Sequence, residues 1–388
     1  MSKDGNNQPT ETWIAQELDD LRRAGLERRL RTWDTADLIN FAGNDYLNLA
    51  QAPELRRAAS EALAQWGAGA TASRLLSGTL PLHTALENKL AQTKGYPAAV
   101  IFGSGYMANL GVITTLTGRH DLLVTDRLAH ASIMDAAVLS RARLQRFRHN
   151  DPEHLEQILR RRPAGGRCLI VTESVFSMDG DCAPLPEIAR LAGQYDAMLM
   201  VDEAHATGVF GPVGAGLVRA HGLEHMVNIS MGTMSKALGS YGGFCACSPA
   251  VQALLVNRAR PLIFSTAPPP SAMGAAMAAL THLEQHHACG GELLRRATAF
   301  RERLQAAGLN TGPSVSQIVP LIVGDNQAAL NLSAALLRQG ILAPAIRPPT
   351  VPPGSARLRF SITLAHSPEL LAQTAEMIIK LAGEVGLS

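Results

Sequence analysis

The chain has 388 residues, 46% hydrophobic and 18% charged, and its 35 Lys and Arg against 33 Asp and Glu leave a formal net charge of +2. That length and apolar content suit one large folded unit, or a large domain with a smaller one attached. The near-neutral balance, with no basic block interleaved with aromatics, removes the electrostatic case for a nucleic-acid partner, and apolar runs such as AAVIF and AMLMV fall far short of the roughly 18 to 20 residues that span a bilayer.

The polar start MSKDGNNQPTET lacks the apolar stretch of a secretory signal, so a cytoplasmic protein that handles small metabolites is expected. Apolar residues at Ile14, Leu18, Leu21 and Leu26 predict an amphipathic N-terminal helix from Ile14 to about Leu30. Two more helical patterns, Pro53 to Trp66 and Pro81 to Lys94, each begin on proline, whose missing N–H costs nothing in a first helical turn. Between them GAGATASRLLSGTLP, rich in small residues, reads as a functional loop.

An alternation follows. AAVIF (98–102), DLLVTD (121–126), LQRFRH (144–149), RCLIVT (167–172), AMLMVD (197–202) and MVNIS (226–230) are strand-like and are mostly separated by helical segments such as 151–162 and 184–195. Strands apolar on both faces and joined by helices predict an α/β fold, a mainly parallel sheet between helix layers. GGFCACS (242–248) reads as one more strand of unfixed orientation. Helices over 271–287 and 291–307 come next, and the rhythm changes at Pro313. IVPLIVGD, a helix over 327–339, ILAPAIRPP, ARLRFSIT and a last helix over 368–383 read as a small α+β domain. The expected division is an N-terminal arm over 1–50, a large domain over 51–288 and a small C-terminal domain over 289–388.

Five cysteines without a C-x-x-C pair argue against a disulfide framework and a zinc site, and Cys168, Cys245 and Cys247 sit in apolar runs as core residues. Twelve histidines without ligand spacing give no reason to expect a metal.

Ligands of α/β sheets gather at the carboxyl ends of parallel strands. Asp202 ends one such strand, Ser177 lies just past another, and GSGYMAN (103–109) joins a third to a helix, so these segments are expected to converge. A helix N-terminus offers backbone N–H groups to a phosphate, which makes Gly105 and Tyr106 candidates, although Gly-Ser-Gly before a helix is also an ordinary turn. His205 follows Asp202 by three residues, and Lys236 comes 34 residues after Asp202 among small residues with no charged neighbour. Pyridoxal phosphate (PLP) asks for such a set: a lysine to bond its aldehyde and an acid against its pyridine nitrogen. The competing reading, a surface Asp and a surface Lys, fits the uncharged surroundings of Lys236 less well.

The motifs NDYLNL (44–49), SRLLSGTLPLHTALENKLA (73–91), SGYMAN (104–109), DRLAHASIMDA (126–136), FSMDGD (176–181), VDEAHATGVFG (201–211), TMSK (233–236) and IRPPTVPPGSARLRF (346–360) give the chain a recognisable pattern. From about Leu18 to the last helix it resembles the α-oxoamine synthases of PLP fold type I. The resemblance implies a PLP-dependent, decarboxylative condensation of an amino acid with an acyl thioester. The last motif, with PLIVGDN (320–326), points to the branch that joins L-alanine to a pimeloyl group, carried on coenzyme A or acyl carrier protein, in biotin biosynthesis. A glycine-using sister, 2-amino-3-ketobutyrate ligase or 5-aminolevulinate synthase, stays open, as do an aminotransferase or aldolase and a non-catalytic PLP-fold binding protein.

By position, the resemblance implies that Lys236 bonds the cofactor's aldehyde, Asp202 pairs with the pyridinium, His205 bonds the phenolic oxygen and His130 lies over the ring. Ser177 and Thr233 would contact the cofactor, with Gly105 and Tyr106 near its phosphate. Arg359 would bind the amino-acid carboxylate, and Arg28, Asn44 and Thr350 would lie near the substrates; the alternative for Arg359 is an exposed strand face. Sites of this fold are shared across a homodimer, so Ser77, Gly78, Ser265 and Thr266 are expected to reach the neighbouring subunit's cofactor. Gly43 and Asn48 stand where serine and glycine are more usual, and Ala70 and Ala72 interrupt a Gly/Ser-rich loop.

Overall fold

The computed structural model describes residues 11–33, 37–163, 165–384 and 386; the first ten residues of the expected N-terminal arm, and 34–36, lie outside the described residues. Strand β1 (Ile39–Asn40) precedes the central strands β2 (Ala98–Phe102), β3 (Leu122–Asp126), β4 (Arg143–Phe147), β5 (Cys168–Glu173), β6 (Met198–Asp202), β7 (Ile229–Thr233) and β8 (Gly243–Cys247). Strands β9 (Ile318–Gly324), β10 (Ile341–Leu342), β11 (Ala345–Ile346) and β12 (Ala356–Ser361) follow.

The central sheet runs β2-β8-β7-β6-β5-β3-β4. Strands β3 to β7 pair in parallel, while β8 runs antiparallel to both of its neighbours, β2 and β7. Successive side chains alternate between faces and feed two cores: Val124, Ile170 and Leu199 on one side, Leu123, Leu169 and Met200 on the other. Edge strand β4 is the exception, because its arginines face outward and discourage further pairing. Strands β11, β12 and β9 form a second, antiparallel sheet. Among the described residues no helix is long and apolar enough to cross a membrane.

Most elements fall where periodicity places them, and three differ. The N-terminal helix is Thr12–Arg23 and stops well before Leu30, because Gly25 turns left-handed at φ 64° and the Leu26 N–H folds back onto the Leu21 carbonyl. Strand β7 begins three residues after the start of MVNIS: the Asn228 side chain takes the Leu199 N–H and starts the ladder late. At its far end Gly232 and Thr233 extend the strand, and glycine is required there because a Cβ would lie 2.5 Å from the Phe244 ring. Residues 39–40, expected in the arm, pair in parallel with β10. Phe41 beside them stacks on His366 at 4.2 Å and meets the Phe360 ring edge at 5.5 Å, which ties this segment to the C-terminal elements.

The carboxyl ends of β3, β5, β6 and β7 bring Asp126, Glu173, Asp202 and Thr233 to one edge of the sheet. The reversed strand β8 contributes its first residue, Gly243, at the same edge, paired with Thr233.

Candidate active site

Two cavities open at that edge. The smaller, about 220 Å³, lies between the start of helix Gly105–Leu116 and the ends of β5, β6 and β7. The larger, about 940 Å³, is walled by Arg28, Asn44, Ser177, Arg359 and the segment Pro348 to Pro353. His130, His205 and Lys236 line both.

Asp202 is 5% exposed, and its oxygens accept from the Asn109 amide at 2.8 Å and the Ala204 N–H at 2.9 Å. No cation pairs with it among the described residues. Its Cα partner across the ladder, Glu173, is 3% exposed and leaves Oε1 without a hydrogen bond. Burial first, and Asp202 second, raise the Glu173 carboxyl well above its usual range.

Lys236 Nζ lies 2.8 Å from His205 Nε2 and has no carboxylate within bonding distance among the described residues. Burial lowers its pKa to about 8, with Asp202 and Glu173 opposing the shift and Arg359 adding to it. His205, 6% exposed, falls well below its ordinary value through burial and then through the Lys236 and Arg359 charges, so it is a neutral imidazole. Its Nδ1 lies 2.6 Å from the Tyr46 hydroxyl, and its carbonyl accepts from the Gln317 amide at 2.7 Å. His130 faces open space, and its pKa is lowered by burial and by Lys236 against the pull of Asp202 and Asp135.

Arg359, on β12, is 5% exposed, which excludes the exposed-face alternative. Its Nε donates to the Ser177 carbonyl at 2.6 Å, Nη1 to Ser361 Oγ at 2.9 Å, and Nη2 to Asn44 Oδ1 at 3.1 Å. The guanidinium therefore faces the larger cavity in a fixed plane. Arg28, which also lines the larger cavity, reaches Thr350 Oγ1 at 3.3 Å.

Gly105 and Tyr106 open the helix at the smaller cavity beside Thr233, while the Tyr106 hydroxyl turns to Asp135 at 2.5 Å. The close approach depends on Gly243, where a Cβ would lie 2.4 Å from the Ser104 carbonyl. Ser177 lines the larger cavity rather than the smaller. Ser77, Gly78, Ser265 and Thr266 line neither; Ser77 and Thr266 are exposed, and Ser73 bridges to Thr266, holding the two loops together. Residue-by-residue reading missed Tyr46, Asn109, Ser132 and Glu173. Tyr46 and Asn109 sit inside motifs quoted above, whereas only the strand register singles out Glu173.

Comparison with known proteins agrees with this fold. The family model described as aminotransferase class I and II matches residues 36–378. The chain belongs to that family. Within it the chain groups with the 8-amino-7-oxononanoate synthases, being 45% identical over 386 residues to that synthase of Geobacter sulfurreducens, with 96% of this chain and 99% of the relative covered. Among solved structures, a serine palmitoyltransferase variant from S. paucimobilis with bound PLP–myriocin aldimine superposes with a TM-score of 0.90 at 33% identity, covering 98% of this chain and 99% of that one. The 8-amino-7-oxononanoate synthase of Francisella tularensis gives 0.78 at 30% identity, covering 89% and 98%.

Proposed function

We propose that the chain condenses L-alanine with a pimeloyl thioester, releasing carbon dioxide and free thiol, to give 8-amino-7-oxononanoate for biotin biosynthesis. It is a PLP-dependent acyltransferase by family. The observation that carries the reading is the pairing of Lys236, with its pKa brought down to about 8, with Asp202, a buried carboxylate lacking a cation, around one 220 Å³ cavity.

The residues fit PLP. Asp202 would meet the ring N–H⁺, for which its uncompensated charge is suited, and Lys236 the aldehyde carbon. His205 would meet the phenolic oxygen, His130 the ring face, and the N–H groups of Gly105 and Tyr106, with Thr233, the phosphate. When bound, the cofactor supplies an electron sink that makes the substrate Cα–H acidic.

The chain's own groups do the rest. Lowering the Lys236 pKa to about 8 leaves roughly a tenth of its amine free at pH 7, far more than an ordinary lysine offers, and it sits where a Cα proton can be removed and returned. His205 keeps that amine aimed, itself fixed by Tyr46 at 2.6 Å. Arg359 offers a planar cation to the amino-acid carboxylate from a position locked by Ser177, Ser361 and Asn44. The wall of Met134, Met178, Pro348, Pro349 and Val351 suits a methylene chain and excludes water from it, and Arg28 beside Thr350 suits an acid at the chain's end.

A homodimer in the cytoplasm completes the proposal. Supporting it, Leu76 is 80% exposed and Phe264 70%, apolar surface on the same loops that carry Ser77, Ser265 and Thr266. We assign those residues to the neighbouring subunit's cofactor. The five free cysteines suit a reducing compartment.

The test is mass spectrometry of products from L-alanine or glycine, each offered with coenzyme A and carrier-protein thioesters with and without a terminal carboxylate. The expected product forms from alanine and the pimeloyl donors. A glycine adduct in preference, or amino transfer without thiol release, overturns the reading.

A further inference from the structure

Asn109 is 1% exposed, on the helix Gly105–Leu116, and its amide nitrogen faces two acceptors: Asp202 Oδ2 at 2.8 Å and Ser132 Oγ at 2.9 Å. Ser132, itself fully buried, places the same Oγ 2.7 Å from His130 Nδ1. These four residues form one chain, and elementary donor bookkeeping gives it a direction. A carboxylate only accepts, so the Asn109 atom against Asp202 is the NH₂. Both of its hydrogens are then committed, one to Asp202 and one to Ser132 Oγ. Ser132 accepts there, and its single hydroxyl hydrogen is left for His130 Nδ1. The Ser132 backbone N–H, which can only donate, points at the same nitrogen from 3.2 Å. An imidazole nitrogen that receives two donors carries no hydrogen of its own. The hydrogen of a neutral His130 is thereby put on Nε2, which has no partner among the described residues, on a side chain that lines both cavities.

We propose that Asn109 and Ser132 are positioning residues that tie Asp202 to His130 through a hydrogen-bond chain donated outward from the Asn109 amide and hold His130 as its Nε2–H tautomer, so that it presents one N–H donor to a carbonyl or carboxylate oxygen of a bound substrate. The role of that donor rests on the function proposed above; the tautomer does not. Removing the Ser132 hydroxyl takes away the nearer donor and leaves the backbone N–H. Removing the Asn109 amide frees the Ser132 hydroxyl to turn and accept from Nδ1–H instead, and it also strips Asp202 of one of its two donors.

The experiment measures ring-nitrogen shifts of ¹⁵N-histidine-labelled protein without cofactor or substrate, His130 being assigned by His130→Gln. Wild type is expected to show Nε2 protonated and Nδ1 bare near neutral pH. Ser132→Ala, which deletes one atom, is expected to lower the Nε2–H to Nδ1–H ratio about fivefold to tenfold, the scale of one lost hydrogen bond. Asn109→Leu is expected to do the same and to weaken pyridoxal phosphate binding about fivefold or more, while Ser132→Ala keeps that affinity within about twofold. A wild-type His130 found as Nδ1–H, or a Ser132→Ala protein with an unchanged ratio, overturns the proposal. Ser132→Ala decides the matter alone should Asn109→Leu not fold. Because the shifts are read on protein free of cofactor, a failed product assay and a failed chain are told apart.

Discussion

Asp202 and Glu203 are consecutive, yet they face two different kinds of buried lysine environment. Glu203, 0% exposed, turns into the core, where Oε2 meets Lys94 Nζ at 2.9 Å and the Ser230 hydroxyl at 2.8 Å, and Oε1 takes the Val218 N–H at 2.9 Å. Lys94, 1% exposed, gives a second hydrogen bond to Thr207 Oγ1 at 2.9 Å. Every charge in that pair is met by protein. One residue back, Asp202 faces a cavity, and the lysine across it, Lys236, has only the neutral ring of His205. The difference teaches what separates a structural lysine from a reactive one. The residue types are the same, and what changes is whether the counter-charge fills the space or a cavity holds the two apart.

The largest expected effect tests the open side of the comparison. Lys236→Ala should cost at least about 10²- to 10⁴-fold in turnover, the range for a lost general base, and abolish the near-visible absorbance with added pyridoxal phosphate. A Lys236→Ala protein that turns over normally breaks the distinction. Next comes the closed side: Lys94→Met strands the Glu203 charge and should lower unfolding free energy by about 3–5 kcal/mol in urea titrations. Lys94→Met with Glu203→Leu should recover most of that loss, and failure to recover would mean the pair contributes more than mutual neutralisation.

A pH series sharpens the contrast. Because Lys236 titrates near 8 rather than 10.5, its neutral form is half-populated at about pH 8 and levels roughly one pH unit higher, so the association rate of pyridoxal phosphate should follow that curve. Borohydride should then fix the pyridoxyl group on Lys236 and leave Lys94 unlabelled, as peptide mapping would show. The smallest effect concerns His149, which sits between Asp126 Oδ1 at 3.0 Å and Asp181 Oδ2 at 2.8 Å and joins the loop carrying His130 to the loop carrying Ser177. Burial lowers its pKa, but the hydrogen bonds it donates to Asp126 and Asp181 outweigh this and raise it to about 10. A folded value above the unfolded value of about 6.5 means stability fully present below that pH and lost as pH climbs through about 10. His149→Gln should cost about 1.5–3 kcal/mol at neutral pH and flatten the decline between those limits, measured as denaturation midpoints against pH.

Much of this was legible in the residues. AAVIF marks β2 residue for residue, and the two proline-led helices match in both bounds, because continuous apolar runs and N1 prolines are local signals. Lys236, Asp202 and His205, which uncharged surroundings and spacing single out in the sequence, line one cavity. What was not legible depends on partners distant in sequence. Nothing local says that residues 39–40 pair with β10, that β8 runs backwards between β2 and β7, or that Glu173 stands beside Asp202. Tyr46 is a core tyrosine at 0% exposure whose hydroxyl lies 2.6 Å from His205, a contact that no local sequence signal gives.

The two cavities meet at three side chains, His130, His205 and Lys236, while Pro348, Pro349 and Val351 touch the larger one alone. Under the proposed function, reshaping that proline segment would retune which acyl chain is accepted without touching His130, His205 or Lys236. The architecture keeps selectivity and reactivity on separate stretches of chain, so either can drift or be engineered while the other stays put.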